Sequence, residues 1–205
     1  MSAAILSLDA VKSKLGITDT ASDEKLTAAL PVITEYFENY CKRGLAFVAD
    51  VVEEISPAAR LKLFRYPLDP SSLAVLIDGV VILTPFRVDA ARGFVELGYA
   101  YSWPVYPNQI ARVTYDGGYP EADVPADLAD AYARACADYG GVAYTSGGST
   151  GGGAPLKSLG LGSGALTVSF DTGAAAQSSY DTSSVPPILA PYLFVLDHYR
   201  LKDYV

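Results

Sequence analysis

The stretch from Ile110 to Gly141 reads IARVTYDGGYPEADVPADLADAYARACADYGG and predicts a strand, a glycine turn and a helix in succession. The predicted strand, Ile110–Tyr115, ends in an Asp-Gly-Gly turn at residues 116–118. Pro120 cannot continue a ladder, because it has no N–H to donate. Pro125 suits the first turn of a helix, where a missing N–H costs nothing. We therefore predict a helix over residues 125–139.

This helix is predicted to bury one face. Its apolar residues follow the spacing i, i+3, i+4, i+7, i+8, i+11 that is typical of a buried helical stripe; they are Leu128, Ala131, Tyr132, Ala135, Cys136 and Tyr139. On the opposite face, Arg134 lies four residues from Asp130 and from Asp138 and is placed to pair with either acid. The stretch contains no catalytic group, so it indicates packing.

Two further helices are predicted near the N-terminus. The first spans residues 8–15, with Ser7 as its N-cap and Gly16 as its terminator. The second spans residues 22–43. Pro31 lies inside this second helix, where a proline removes a backbone hydrogen bond. We expect a kink there, or two short helices.

The middle of the chain changes to a strand-like pattern, which predicts an antiparallel β-element over residues 47–115. Asp78-Gly79 is a two-residue hairpin signal between two β-branched runs. The other predicted strands alternate apolar and polar residues or lie next to turn signals; they are Phe47–Ile55, Arg60–Tyr66, Phe86–Asp89 and Gly93–Leu97.

These elements predict an α+β fold, a small helical bundle with an inserted antiparallel β-element and a C-terminal arm. The bundle and its insert form a core over residues 1–144. Residues 145–164 are rich in Gly and Ser and predict a flexible linker. Residues 165–205 form the arm, a strand followed by a short helix that begins near Pro191. We expect the arm to bury its apolar face on another chain.

Composition limits the classes of function. The chain has 205 residues and a net charge of −8, with Lys and Arg scattered singly. A nucleic-acid binder normally carries a basic face, whereas an acidic protein suits a conduit through which DNA slides, or simply stays soluble. The sequence has no apolar run of membrane-spanning length and no signal-peptide pattern at its N-terminus. We expect no membrane association.

We find no catalytic, metal or cofactor site in the sequence. We therefore expect that the protein is not an enzyme. His198 is the single histidine, with no nucleophile setting beside it. The glycine cluster at 147–153 is followed by Ala-Pro rather than the Lys-Ser/Thr of a phosphate loop. Cys41 and Cys136 both fall on apolar helix faces, which predicts buried reduced thiols.

Two segments carry a family resemblance. VTYDGGYPEADVPADLADAYARACADYGG resembles the T-Y-x-x-G-Y strand and V-P-x-D-L helix of the head–tail connector (adaptor, or head-completion) proteins of long-tailed bacteriophages. LSLDAVKSKLGITDTASDEKLTAALPVITEYFENYCKRGL resembles that family's opening helices. The resemblance covers Leu8 to Gly44 well, Leu61 to Gly141 moderately, and the last sixty or so residues only loosely.

The resemblance implies a structural virion protein of the neck, the head–tail junction, made in the host cytoplasm. It would dock under the portal protein as a ring of its own copies, a dodecamer, and meet a tail or neck protein. DNA would pass through without specific binding. Tyrosine-rich surfaces favour interfaces, and the candidate partner-binding residues of the arm are Tyr192, Phe194, His198 and Tyr199.

Two alternatives stay open. The chain could be another phage neck or tail-completion protein with a similar helical core. It could also be a carbohydrate-binding β-module that stacks sugar rings on an aromatic loop; the aromatic residues of that loop are Tyr99, Tyr101, Trp103 and Tyr106.

Overall fold

The computed structural model describes residues 3–56, 60–82, 86–97, 110–144, 156–162, 165–170 and 186–201. The chain divides into two compact units. Residues 1–5 and 42–124 form a β unit, and residues 6–41 and 125–205 form a mainly helical unit. Four α-helices and antiparallel sheets in these residues confirm the predicted α+β class.

The helices of the second unit begin and end within two residues of the predicted bounds where these were given. They are α1 (Leu8–Leu15), α2 (Asp23–Cys41), α3 (Ala126–Gly140) and α4 (Leu193–Tyr199). A 3₁₀ turn over Pro187–Tyr192 leads into α4. No helix in the described part of the chain is long and apolar enough to cross a membrane.

Helix α3 is the centre of this unit, because α1, α2 and α4 all pack against it. Its buried side chains form the predicted stripe and a second one beside it; they are Leu128, Ala129, Ala131, Tyr132, Ala133, Ala135, Cys136 and Ala137. Tyr139 was predicted to be buried and is instead 47% exposed. The alanines explain the wider burial, since short side chains let neighbouring helices approach from more than one side.

The ends and the interior of the two N-terminal helices follow from their sequence. The Ser7 hydroxyl accepts a hydrogen bond from the Ala10 N–H at 3.3 Å, and Gly16 closes α1 in the left-handed conformation. Helix α2 runs through Pro31 as one element, so the two-helix alternative is wrong. Pro31 and Thr27 are exposed, and water can therefore satisfy the Thr27 carbonyl that loses its helical donor.

The described residues of the β unit form seven strands in two sheets. The strands are β1 (Val48–Ile55), β2 (Arg60–Lys62), β3 (Ala74–Ile77), β4 (Val80–Val81), β5 (Phe86–Asp89), β6 (Phe94–Leu97) and β7 (Ala111–Gly117). The first sheet has the order β1-β7-β3-β4 and the second the order β2-β6-β5, with antiparallel pairing throughout. Both sheets contribute to one apolar core, in which Leu61, Val95 and Val113 are fully buried.

The Asp78-Gly79 signal produces the predicted hairpin between β3 and β4. Both residues have positive φ, 50° and 80°, as a type I′ turn requires. The strands predicted at residues 86–89 and 93–97 are also confirmed, as β5 and β6, and they pair with each other. The aromatic loop Tyr99–Tyr106 lies outside the described residues.

A third sheet belongs to the helical unit. It is a two-stranded hairpin of β8 (Leu156–Gly162) and β9 (Ala165–Phe170). Strand β8 lies inside the segment 145–164 that composition predicts to be linker, so that prediction is wrong for residues 156–162. Leucines recur in this part of the segment, and a strand-forming partner follows at once; the remainder of the segment lies outside the described residues.

Both cysteines are reduced and buried in the helical unit, as predicted. Burial raises the pKa of the Cys136 thiol to about 12, so it stays protonated and unreactive at neutral pH.

We expect Gly118→Ala to unfold the β unit. At Gly118 φ is +96°, and an added Cβ would clash with the Ala46 carbonyl and lie 2.9 Å from the Phe47 Cα, both of them backbone atoms that cannot turn aside. Gly79→Ala is the matched control, since Gly79 also has positive φ but no atom within 4 Å of the added Cβ. Gly79→Ala should cost about 1–2 kcal/mol of unfolding free energy, and Gly118→Ala clearly more. Equal losses in urea denaturation would contradict the clash.

Candidate docking surface

The candidate partner-binding residues lie in the C-terminal segment, residues 186–201, which packs on helices of its own chain. Leu189, Leu193 and Leu196 are buried, and the segment lies against α2 and α3. The Leu201 N–H donates to the Cys41 carbonyl at 2.8 Å. The expectation that the arm buries its apolar face only on another chain is therefore wrong for these residues, because the leucines of the segment find small-residue helix surface within the unit.

Three tyrosine–carboxylate hydrogen bonds hold the segment. The Tyr192 hydroxyl donates to Asp138 at 2.5 Å, and the Tyr199 hydroxyl donates to Asp127 at 2.6 Å. Both acids belong to α3 and lie three helical turns apart, hence on one face. The third bond runs the other way, from the Tyr40 hydroxyl of α2 to Asp197 of α4 at 2.5 Å. Charged acceptors make such bonds stronger than neutral pairs.

The environment of these tyrosines keeps them protonated. Burial, followed by the hydrogen bond to Asp197, raises the pKa of Tyr40 to about 12. Burial and the bond to Asp138 raise the pKa of Tyr192 well above its ordinary value. Both phenols are therefore hydrogen-bond donors over the whole neutral range.

The structure separates the four predicted residues into two pairs. Tyr192 is 7% exposed, and Tyr199 is half-buried; both face the helical unit through their hydroxyls. Phe194 is 78% exposed, and His198 is also exposed. These two residues are four apart on α4 and share its outer face. Phe194 and His198 therefore lie on the exposed face of α4, whereas Tyr192 and Tyr199 bond to α3 and position the helix.

Sequence reasoning missed Tyr40, Asp127, Asp138 and Asp197 as the residues that hold this segment. The spacing of Asp127 and Asp138 on one helix face was a usable signal. Nothing in the sequence pairs them with tyrosines more than fifty residues further along the chain.

The described residues offer no obvious site for chemistry. No group of three or more His, Cys, Asp or Glu residues among them is placed to hold a metal ion. A surface depression of about 580 Å³ lies in the β unit; its lining residues include Arg60, Arg87, Asp89, Arg92 and Glu96. Arg60 forms an ion pair with Glu96, and Arg92 lies 3.9 Å from Asp89. The lining has no histidine, cysteine or serine, so it provides charge pairs without a nucleophile.

The N-terminal part of the chain matches a known protein family. Residues 5–64 match the family described as phage gp6-like head–tail connector protein. The resemblance to head–tail connectors is confirmed here. The matched range contains α1, α2, β1 and β2, and thus the Leu8–Gly44 segment of the predicted resemblance. It does not extend to the strand–turn–helix of Ile110–Gly141. No curated protein matches the chain.

Solved structures match this chain over 72% to 100% of its length. A chain in "Neck of empty GTA particle computed with C6 symmetry" has a TM-score of 0.57 and 14% identity, with 98% of this chain and 92% of that chain covered. A chain in "Virion of native gene transfer agent (GTA) particle" has a TM-score of 0.51 and 14% identity, with 72% of this chain and 84% of that chain covered. A chain in "Neck of native GTA particle computed with C12 symmetry" has a TM-score of 0.50 and 15% identity, with 100% of this chain and 97% of that chain covered. At these identities the likeness establishes a common fold.

We expect Tyr192→Phe to lower the unfolding free energy by about 2 kcal/mol, since it removes a buried donor from a carboxylate. Tyr199→Phe is the matched control, because its bond to Asp127 is exposed to water. The control should cost less than about 1 kcal/mol. Urea denaturation measures both values. Equal costs would mean that the Tyr192–Asp138 bond does not hold the segment.

Alkaline pH should loosen the segment. The pKa of Tyr40 is raised from 10.0 to about 12 in the folded chain, so the folded state binds more protons than the unfolded state between these values. The contribution of Tyr40 to stability is therefore complete below pH 10 and is lost as the pH rises to 12. Between pH 9 and pH 11, the melting temperature should fall less for Tyr40→Phe than for the wild-type chain. A Tyr139→Phe control, at an exposed tyrosine, should retain the wild-type decrease.

Proposed function

We propose that this protein is a structural component of the neck of a phage-like particle, a head–tail connector that joins the capsid to the tail. The observation that carries the proposal is the connector-family match over residues 5–64. The likeness of the complete fold to neck proteins supports it. In this role the protein docks as a ring of twelve copies beneath the portal protein and presents its other side to a tail or neck protein. It requires no reaction and no cofactor.

The surface that meets the portal or the tail is proposed to be the outer face of α4. Phe194 presents most of its ring to water although its neighbours Leu193 and Leu196 are buried. An exposed aromatic residue on a helix that is fixed from behind costs little entropy to place in a partner's pocket, which is the property of an interface anchor. His198 adds a polar contact on the same face.

The acidic balance is proposed to serve the passage of DNA. With a net charge of −8, phosphates are repelled on average, so DNA moves through a ring without being held. A mobility-shift assay at low salt should therefore detect no stable complex between the protein and duplex DNA. A complex that survives 150 mM salt would contradict this part of the proposal.

We expect Phe194→Ser to weaken binding to the partner about thirtyfold, the effect of losing about 2 kcal/mol at an aromatic anchor. The variant should change the unfolding free energy by no more than about 0.5 kcal/mol, because the ring is already in water. Tyr139→Ser, at an exposed aromatic of α3, is the matched control and should bind normally.

The measurement is copurification of the tagged chain with the portal protein and, separately, with the tail proteins of the same particle. Binding to portal supports the connector, and binding to tail proteins alone supports the tail-completion alternative. If neither bound the wild-type chain, the proposed function would be wrong. The carbohydrate-binding alternative rests on the loop Tyr99–Tyr106 and predicts binding on a glycan array, where a connector should give no signal.

A further inference from the structure

Strand β4 is an exposed edge of the first sheet of the β unit. In the order β1-β7-β3-β4, strands β1 and β4 are the two edges. Strand β1 has an irregular register between Val48 and Val51 and carries two charged residues, Glu53 and Glu54. Both features disfavour the addition of another strand at this edge. Strand β4 has neither, since it consists of Val80 and Val81, which are 64% and 53% exposed.

The register of the hairpin fixes which backbone groups β4 offers. The Ile82 N–H donates to the Val75 carbonyl at 2.9 Å, and Val81 lies opposite Leu76. Hydrogen-bonded and non-hydrogen-bonded pairs alternate along an antiparallel ladder. Val81 therefore directs its N–H and C=O away from β3, towards the open side of the sheet. One donor and one acceptor are available there to another strand.

The β8–β9 hairpin is a second element of the chain that presents strand edges. Strands β8 and β9 form a sheet of only two strands. A two-stranded hairpin is at best marginally stable in water, and a third strand or a packed face is needed to stabilise it. The sequence of the hairpin, Leu156–Phe170, contains a single charged residue, Lys157.

The chain leading to the hairpin is long enough to extend to another molecule. Residues 145–155 precede it, and these eleven residues have a contour length of about 36–40 Å. Residues 171–185 follow it and allow about 50–54 Å. Both lengths exceed the radius of a small domain, about 13 Å for a hundred residues.

We propose that the β8–β9 hairpin of one copy adds to the β4 edge of the next copy, so that the two sheets become one across the subunit boundary. Every copy carries both the hairpin and the open edge, so the contact is head-to-tail and closes into a ring when the rotation allows. It suits two acidic copies, because residues 79–82 carry no charge and the hairpin adds one positive charge. The proposal rests on the proposed ring and names the strands that link its members.

The decisive variant is Val81→Pro in the full-length chain. Proline removes the outward N–H, while the bonds of Val80 and Ile82 to β3 are retained, as is usual for proline on an edge strand. Val81→Thr is the matched control, since it keeps the donor and a β-branched side chain. Sedimentation velocity should give at least tenfold weaker self-association for Val81→Pro than for Val81→Thr. Unchanged self-association of Val81→Pro would overturn the proposal.

Two further measurements keep the test decisive if Val81→Pro is unstable or the wild-type chain is monomeric. Replacing residues 156–170 by Gly/Ser of equal length should reduce self-association as much as Val81→Pro does. A labelled peptide of residues 155–171 should bind this hairpin-less chain, and bind it at least tenfold less tightly when Val81→Pro is added. A peptide that binds neither, or both equally, would contradict strand addition. If the wild-type chain bound neither the portal protein nor the tail proteins, that result would instead contradict the proposed function.

Discussion

The helical unit depends on the buried phenol of Tyr132. Its ring is fully buried and meets Phe37 edge-on, with ring centroids 5.7 Å apart. Its hydroxyl lies 2.8 Å from both the Leu30 carbonyl and the Thr34 hydroxyl of α2. A buried hydroxyl without partners would cost about 1–3 kcal/mol, so these bonds fix the register of α3 on α2. The alanines around Tyr132 permit this approach, and α1 and α4 then pack on the surface that remains.

Local patterns predicted the elements well, because their causes are local. The apolar spacing of α3, the Ser7 and Gly16 caps and the Asp78-Gly79 turn each act within a few residues. Pairings between distant residues were not predictable in the same way. Asp130 forms an ion pair with Lys14 at 2.7 Å, and Asp138 accepts a hydrogen bond from Tyr192. The spacing of charges along α3 predicts neither contact. Lys14 lies 116 residues from Asp130, and only the packing of α1 on α3 brings the two together.

The residues of the candidate docking surface were also only partly predictable from the sequence. Sequence composition identified the aromatic residues of the terminal segment and could not rank them, because Tyr192 and Phe194 are equally aromatic. The difference comes from three leucines that turn one side of the segment inward, which directs Phe194 to water and Tyr192 to Asp138. The same apolar burial led to the incorrect expectation that the arm needs another chain. Sequence shows that an apolar stripe must be covered but not which molecule covers it.

The distribution of exposed apolar side chains separates the tasks of the two units. Of the eight large hydrophobic residues that are exposed in the described part of the chain, six lie in the β unit: Phe47, Val52, Phe64, Val80, Val81 and Ile110. A two-sheet core buries one face of each sheet and leaves the outer faces and the edges open. Helix α3 is instead covered on several sides by its neighbours, so the helical unit satisfies most of its apolar surface internally. Exposed apolar surface in the described residues is therefore concentrated in the β unit, while the helical unit exposes Tyr139 and Phe194.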